Sequence, residues 1–414
     1  MTARLYWRKA RYVSILTFAF LILAARIDSQ PTPGSSPGWF DIRDFGAVCD
    51  GKTDDTSAIL AASKAVAASG GAVFFSPGNN STTCEIDTPM TMPQSTSGQW
   101  VVWAIANPLQ INATVTTATS VAFIGLPSFV LEAPQFVTQP YASVYANANP
   151  AFYVYDTSNI LFKNLFVQSE GPGINILVDG GSTGVTFDHV WSVVEPGNTA
   201  GSPLVVRGGF GYVFSGGGFE SSAGGQPAML FEVNTNNSAP AMASWITVRD
   251  TFFSGQGIKV YVDGTASSGC GSLLVEDVLY ESGTAPFLTI NDGGQNFYCS
   301  GFELRKVSIS DYAGKPNDPI VLLQATNVHW LTLDSVWGEQ TQPLIGGDVA
   351  SEVSQAPGMP AVVDHQDLQN APFQGGSWPN GSLFFCPDCQ VSSGCSSGGN
   401  GAMATKLNGS FSCN

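Results

Sequence analysis

Hydrophobic residues recur along the chain in one short pattern, apolar-x-apolar-polar-polar-apolar, which is repeated seven times. Each copy predicts a strand, because alternating apolar positions place one face of an extended segment in a core. A second apolar segment follows each copy, and a repeated unit that cannot bury its apolar face alone is typical of a solenoid, here a parallel β-helix. The copies begin at Ile160, Val185, Tyr212, Ile246, Leu273, Phe302 and Leu331, and the second segments are Ile174–Val178, Leu204–Val206, Met229–Val233, Ile258–Val262, Phe287–Ile290, Ile320–Leu323 and Leu344–Ile345.

The fourth and fifth positions of this pattern predict structure rather than chemistry. Equivalent residues on successive coils stack about 4.8 Å apart. The fourth position alternates in charge over its last four copies, which predicts a surface ladder of ion pairs. His189 occupies the fifth position, where turn-forming residues also fall, so we interpret it as a turn residue rather than a general acid. The fourth positions are Lys163, Asp188, Ser215, Arg249, Glu276, Arg305 and Asp334, and the other fifth positions include Asn164, Asp250 and Asp277.

The segment from Phe40 to Gly78 has a different pattern, a strand, a helix and a second strand. Thr53-Asp54-Asp55 supplies side-chain oxygens that cap the start of a helix predicted to end near Ala68. Ser69-Gly70-Gly71 ends that helix. The two adjacent aspartates are therefore interpreted as helix caps and not as a catalytic pair.

This segment, "DFGAVCDGKTDDTSAILAASKAVAASGGAVFFSPG", resembles the N-terminal signature of the pectate-lyase-like superfamily, with its rhamnogalacturonase-like and epimerase-like domains. The resemblance covers about 40 residues and implies an all-β protein, a right-handed parallel β-helix with an N-terminal capping helix. Cys49 stands where the family usually has glycine, and Cys84 follows the second strand, so the two are predicted to form a disulfide. Cys270 and Cys299 occupy equivalent positions on adjacent coils and are predicted to form another.

The catalytic motifs of polygalacturonase-type members of that group are absent from this sequence. It contains no Asn-Thr-Asp, Gly-His-Gly or Arg-Ile-Lys, and its only Asp-Asp pair is the helix cap. The resemblance therefore implies an architecture but transfers no mechanism.

Candidate catalytic carboxylates follow the first strand of several coils. Glu220, Glu281 and Glu339 each lie eight residues after the first residue of a copy, with Asp311 nine residues after one, and long loops follow them. Long loops on one side of a β-helix would form the walls of a groove. Glycoside hydrolysis needs two carboxylates, about 5–5.5 Å apart for retention or about 6.5–9.5 Å for inversion. Nearby aromatic residues would stack on sugar rings where they face outward and belong to the core where they face inward; they are Trp191, Phe253, Tyr280 and Trp337.

A second carboxylate set ends the second strands. Asp179, Asp263 and Asp292 each precede a glycine, and Asp263 and Asp292 are predicted on neighbouring coils. Two such carboxylates bind a hard cation such as Ca²⁺, or they simply make the Asp-Gly turn. No cofactor is expected for a hydrolase, and Ca²⁺ is expected if the protein is a lyase.

The chain begins with basic residues and a 14-residue apolar run, Tyr12–Ala25, that is too short for a membrane span. Residues 1–30 are therefore predicted to be a signal peptide or signal anchor, which makes the protein secreted or attached to the cell surface. Without them the chain keeps 11 basic and 31 acidic side chains, a net charge near −20. This charge disfavours nucleic acid and anionic membranes, apart from the N-terminal anchor, and favours a neutral or Ca²⁺-bridged glycan.

The domain prediction places a β-helix at 36–350 and a Pro/Gly/Ser-rich segment at 351–414. The latter contains Cys386, Cys389, Cys395 and Cys413, which in an exported protein indicate disulfides rather than zinc, with three connectivities open. The sequence favours a polysaccharide-active glycoside hydrolase or lyase. A non-catalytic glycan-binding adhesin or structural protein is the alternative, and the oligomeric state stays open, with a trimer among the possibilities.

Overall fold

The computed structural model describes residues 38–413 with gaps. The gaps are 77–82, 97–99, 107, 113–120, 125–128, 133–141, 147–149, 170–171, 223, 235–243, 264–269, 292–298, 311–318, 326–327, 338–344, 348–352, 356–360, 363–382, 387–388, 392–394, 400–401 and 408–409.

The N-terminal end of the fold is a short helix laid against the first strands. A 3-10 turn, Ile42–Phe45, precedes the helix α1, Thr56–Ser69. Asp54 caps the helix by accepting from the Thr56 backbone N–H at 2.9 Å. Asp55 occupies the N-cap position, but its side chain makes no capping hydrogen bond; this buried carboxylate accepts from the backbone N–H groups of Val48 at 2.6 Å and Glu85 at 3.1 Å. Both aspartates are therefore structural, although only one has the predicted capping role.

Half of the strands of the described chain belong to one long parallel sheet that runs from the helix towards the C-terminus. Its strands are β1 (Trp39–Asp41), β2 (Gly71–Phe75), β3 (Cys84–Ile86), β5 (Val101–Ile105), β6 (Leu109–Ile111), β8 (Phe129–Glu132), β9 (Ala142–Ala146), β11 (Ile160–Ser169), β13 (Thr186–Val194), β15 (Phe210–Glu220), β17 (Ser244–Arg249), β18 (Phe252–Ser254), β20 (Cys270–Glu281), β22 (Cys299–Ser310), β24 (Val328–Trp337) and β26 (Val353–Gln355).

A second parallel sheet alternates with the first along the chain, so each coil contributes one strand to it. Its strands are β4 (Met90–Thr91), β7 (Val121–Ile124), β10 (Phe152–Tyr155), β12 (Ile174–Asp179), β14 (Ser202–Arg207), β16 (Met229–Asn234), β19 (Ile258–Asp263), β21 (Leu288–Asn291), β23 (Val321–Gln324) and β25 (Ile345–Gly347). The chain is thus a parallel β-solenoid of about seven turns, as the repeat predicted.

Each long strand of the first sheet bends once and so covers two faces of the solenoid. The bend lies at the fifth position of the repeat, where the backbone is left-handed, with φ of 52° at Asn164, 53° at His189, 51° at Asp250 and 53° at Asp277. Asn and Asp are among the residues that tolerate this region best. We call the segments before and after the bend the first arm and the second arm. The prediction that His189 is a turn residue is confirmed; its Nδ1 lies 2.7 Å from the Asp188 carboxylate.

The interior is filled by columns of apolar side chains, one per coil. Phe162, Phe187 and Phe214 stack in register, with ring centroids 5.0 Å and 4.7 Å apart and planes within 11° of parallel. All three side chains are buried.

The charged column predicted at the fourth position of the repeat is also in register. Backbone pairing aligns Arg249 with Glu276, Glu276 with Arg305, and Arg305 with Asp334. The short contact of Arg305, however, is made within its own strand, to Glu303 at 2.6 Å. That hydrogen bond, together with Glu303, Glu276 and Asp334 as neighbouring negative charges, raises the pKa of the guanidinium. The register and the alternation of charge are as predicted, whereas the ion pair of Arg305 lies within one strand and not between coils.

The predicted disulfide between Cys49 and Cys84 is present and joins the loop before α1 to β3. Backbone pairing also places residue 270 directly opposite Cys299, which is buried and disulfide-bonded. The side chain of residue 270 lies outside the described part.

The C-terminal residues form a small separate sheet of β27 (Ala361–Val362), β28 (Leu383–Cys386), β31 (Ala402–Leu407) and β32 (Ser410–Cys413), beside the hairpin β29 (Cys389–Gln390) and β30 (Ser396–Ser397). Cys386 is bonded to Cys389 and Cys395 to Cys413, which selects one of the three open connectivities. Within the described ranges, no helix is both long enough and apolar enough to span a bilayer.

Candidate functional site

The second arms of β13, β15, β20 and the strand β18 share one solvent-facing surface. Along each arm alternate residues point outward, which produces two parallel columns on that surface. One column carries large apolar side chains and the other carries polar ones. The apolar column is Phe166, Trp191, Gly218, Phe252 and Leu279, and the polar column is Gln168, Val193, Glu220, Ser254 and Glu281.

Two of the four carboxylates predicted to be catalytic lie in the polar column. Backbone pairing aligns Glu220 with Ser254 and Ser254 with Glu281. Because neighbouring strands are about 4.8 Å apart, the α-carbons of the two glutamates are roughly 10 Å apart. Their side chains extend to the same side of the sheet and only a serine lies between them, which leaves room for a small molecule between the carboxylates.

Glu220 has a perturbed carboxyl. Its side chain is partly buried, and burial alone raises the pKa of its carboxyl above the usual 4.5. Within the described ranges no hydrogen bond or ion pair compensates for that burial. A partly buried carboxyl with a raised pKa on a solvent-facing surface is the type of group that serves as a general acid.

The apolar column next to the glutamates provides an aromatic surface. The rings of Trp191 and Phe252 lie 5.7 Å apart although one coil separates them. Gly218 on that coil permits the contact, since a Cβ there would lie 2.6 Å from the Trp191 ring. Leu279 continues the column and is 39% exposed. Phe253 and Tyr280, by contrast, face inward and belong to the core.

The raised pKa of Glu220 makes the stability of the protein depend on pH in a testable way. The folded state holds this proton more tightly than the unfolded state, so its stabilising effect is complete below about pH 4.5 and is lost as the pH rises through the raised pKa. Glu220→Gln removes the buried charge. We expect the variant to melt up to about 2 °C higher than the wild type at pH 7 and equally at pH 4.

Differential scanning fluorimetry between pH 4 and pH 7 measures this difference. Ser254→Ala, a change on the same column that removes no titrating group, is the matched control and should show a pH-independent difference. A constant offset between Glu220→Gln and the wild type at every pH would contradict the prediction.

The remaining predicted site residues stay untested. Asp311, Glu339 and Asp292 lie outside the described residues, as does the side chain of Asp263. Backbone pairing joins Tyr261 to Asn291, which is one residue away from the alignment that would place Asp263 opposite Asp292. The Ca²⁺ prediction therefore stays a prediction.

A second polar column, of which sequence reasoning had named only Asp179, lies on the outer face of the second sheet. Arg207 Nε and Glu232 Oε2 form a partly buried ion pair at 2.7 Å. Asp179, which is 7% exposed, precedes them by one coil. Desolvation, with Asp179 as the next cause, raises the pKa of neighbouring Tyr153 to about 12. The register of the second strands is the sequence feature that could have revealed this column. The column consists of Tyr155, Asp179, Arg207, Glu232 and Tyr261.

One group of potential metal ligands is found among the described residues, namely Cys49, Asp55 and Cys84. Both thiols are consumed by the disulfide, and the Asp55 carboxylate already accepts three backbone N–H groups. These residues therefore do not fit a metal ion.

Comparisons with known proteins agree with this geometry only at the level of fold. No protein-family model matches the sequence, and no curated protein matches it. Among solved structures, the surface protein and adhesin PfbA of Streptococcus pneumoniae has a TM-score of 0.48 and 11% identity, covering 77% of this chain and 98% of its own. The endo-xylogalacturonan hydrolase of Aspergillus tubingensis has a TM-score of 0.45 and 12% identity, covering 79% of this chain and 95% of its own. The catalytic unit of the GH87 α-1,3-glucanase of Streptomyces thermodiastaticus has a TM-score of 0.37 and 13% identity, covering 79% of this chain and 68% of its own. The parallel β-solenoid architecture of the chain is given by its own sheet topology.

Proposed function

We propose that this protein is an extracellular polysaccharide hydrolase that cleaves its substrate between Glu220 and Glu281. The observation that carries the proposal is the partly buried, uncompensated carboxyl of Glu220, two coils from a second outward-facing glutamate. A carboxyl with a raised pKa holds a proton at a pH at which an ordinary carboxylate has lost it.

In this mechanism Glu220 is the general acid and Glu281 the general base. Glu220 donates its proton to the glycosidic oxygen as the bond to the anomeric carbon breaks. Glu281 accepts a proton from a water molecule, whose oxygen attacks the anomeric carbon from the opposite side. Backbone positions roughly 10 Å apart suit the 6.5–9.5 Å between carboxyl groups that inverting hydrolases use to admit this water.

The substrate class follows from the surroundings of the two glutamates. The neighbouring aromatic column offers flat apolar surfaces to the C–H faces of sugar rings, and no lysine or arginine stands in either column. The chain is also strongly acidic, with a formal net charge of −16. These features favour a neutral polysaccharide over a uronate polymer. The predicted export signal and the disulfides support an extracellular location.

A non-catalytic glycan-binding protein is the second candidate. The same aromatic column would hold a glycan without cleaving it, and the missing family motifs favour this alternative. A purely binding surface, however, gains nothing from an uncompensated, partly buried carboxyl, because that burial costs stability once the group ionises.

Incubation of the wild-type protein with laminarin, xylan, galactomannan and polygalacturonate distinguishes the candidates. We expect new reducing ends from a neutral polysaccharide, no rise in absorbance at 235 nm, no effect of EDTA, and an initial product of inverted anomeric configuration by NMR. Retained configuration would contradict the assigned roles. A rise at 235 nm abolished by EDTA would indicate a Ca²⁺-dependent lyase, and binding without cleavage would favour the second candidate.

A further inference from the structure

Two aromatic side chains project from a corner of the solenoid that is separate from the glutamate columns. Phe210 and Trp245 lie where the chain passes from the second sheet into a first arm, on adjacent coils. Their ring centroids are 5.7 Å apart and the rings are nearly perpendicular, at 78°. Trp245 is 67% exposed and Phe210 48% exposed, so both rings face solvent.

The backbone of Trp245 is unusual for a bulky residue. Its φ of 55° lies in the left-handed region, which costs a non-glycine residue roughly 1–2 kcal/mol. Every other described left-handed residue in this corner column is small or is the amide residue that tolerates the region best. Those residues are Asn159, Gly184, Gly211, Ser272 and Gly301.

Folding does not account for a tryptophan at this place. A ring that stays two-thirds exposed recovers little hydrophobic free energy, so burial does not offset the backbone cost. Strained residues that folding does not explain are found preferentially at functional sites. The register neighbours of Trp245 on the two adjacent coils, Gly211 and Ser272, are both small.

The chemistry around the pair indicates what it holds. Hydroxyl-bearing residues flank the two rings on the neighbouring columns, with Thr183 paired to Phe210 on one side and Ser244 on the other. Thr247 lies two residues after Trp245 in the chain, and Ser272 is the register neighbour of Trp245 on the next coil. A flat apolar ring bordered by hydroxyl groups matches one sugar ring, which has an apolar C–H face and a hydroxyl edge. A protein partner would need about 800 Å² of surface, far more than two rings provide.

We propose that Trp245 and Phe210 form a second, non-catalytic site that binds one sugar ring of a neutral glycan. The site rests on the proposed glycan specificity but not on the hydrolytic role of Glu220 and Glu281. Since it lies on another face of the solenoid, it would hold a polymer to the protein while a different segment of that polymer occupies the groove, which raises the effective concentration of substrate.

Affinity electrophoresis in gels containing laminarin, xylan or galactomannan tests this site. All variants are made in the Glu220→Gln background so that the glycan is not consumed. We expect Trp245→Ala to weaken retardation about 3–10-fold, in line with one aromatic contact, and Trp245→Phe to restore part of it. Trp100→Ala, which removes another exposed tryptophan, is the matched control and should change nothing.

Each outcome separates this site from the proposed hydrolase. If Trp245→Ala and its parent are retarded equally in every gel, the second site is wrong even where hydrolysis is confirmed. If retardation falls while the wild type cleaves nothing, the second site stands and the hydrolase is wrong. If no gel retards any variant, or if Trp245→Ala only converts a dimer to a monomer in sedimentation, the proposal is overturned.

Discussion

Replacing Phe187 with alanine is expected to lower the free energy of unfolding by about 3–5 kcal/mol. Phe187 is the middle ring of the stacked column and is nearly in van der Waals contact with a parallel ring on each side. Truncation removes both stacking contacts and leaves a cavity between two coils. Parallel strands held by backbone hydrogen bonds above and below cannot close that cavity by moving together.

Urea denaturation followed by circular dichroism measures the effect. Phe187→Leu keeps most of the side-chain volume and should recover more than half of the loss. Phe210→Ala removes an exposed ring of the same size and should change stability by less than about 0.5 kcal/mol. A loss below 1 kcal/mol for Phe187→Ala would mean that the aromatic column does not hold adjacent coils together.

The stacked column was accessible from sequence because its period is the period of the coil. Once the repeat was aligned, the third position of each copy had to face inward, and its backbone register followed. The same alignment predicted that His189 is a turn residue and that Arg249, Glu276, Arg305 and Asp334 alternate in charge along one column. A solenoid fixes long-range neighbours through one short local pattern, which is why so much of this fold could be predicted.

The site was less accessible because it depends on side chains between the repeated positions. Sequence reasoning selected Glu220 and Glu281 from their place after the strand, but it did not distinguish them by burial. Only packing reveals that Glu220 is partly buried while Phe253 and Tyr280 turn inward. The left-handed backbone of Trp245 likewise interrupts a column of small residues, and no local propensity predicts a tryptophan there.

The capping aspartates show a limit of local rules. Both Asp54 and Asp55 fit the N-cap pattern, and the sequence cannot choose between them. Asp55 occupies the N-cap position, yet the side chain that accepts from the first helical N–H is that of Asp54, because the Asp55 carboxylate accepts from backbone N–H groups of the disulfide-linked loop and of β3. Hydrogen bonds to residues outside the helix thus decide which of the two adjacent carboxylates bonds to the start of the helix.

Substituting Glu220 or Glu281 is expected to lower kcat on the cleaved polysaccharide by about 10²–10⁴-fold with little change in KM, as loss of a general acid or base does. The two roles are separated by the leaving group. Glu220→Gln should recover most of its rate on a dinitrophenyl glycoside, whose leaving group needs no proton. Glu281→Gln should stay slow on both substrates, because the attacking water still needs a base.

The pH profile gives an independent test of the acid. Because burial raises the pKa of Glu220, the alkaline limb of kcat/KM should lie above the ordinary titration range of a glutamate and should disappear in Glu220→Gln. A mutation on the other face supplies the control. Glu232→Gln breaks the ion pair with Arg207 on the second sheet and should leave kcat within about twofold of the wild type. Full activity in Glu220→Gln together with an inactive Glu232→Gln would contradict the assigned site. The reaction would then be assigned to the column of Asp179, Arg207 and Glu232, where Asp179 is buried and Glu232 is paired with Arg207.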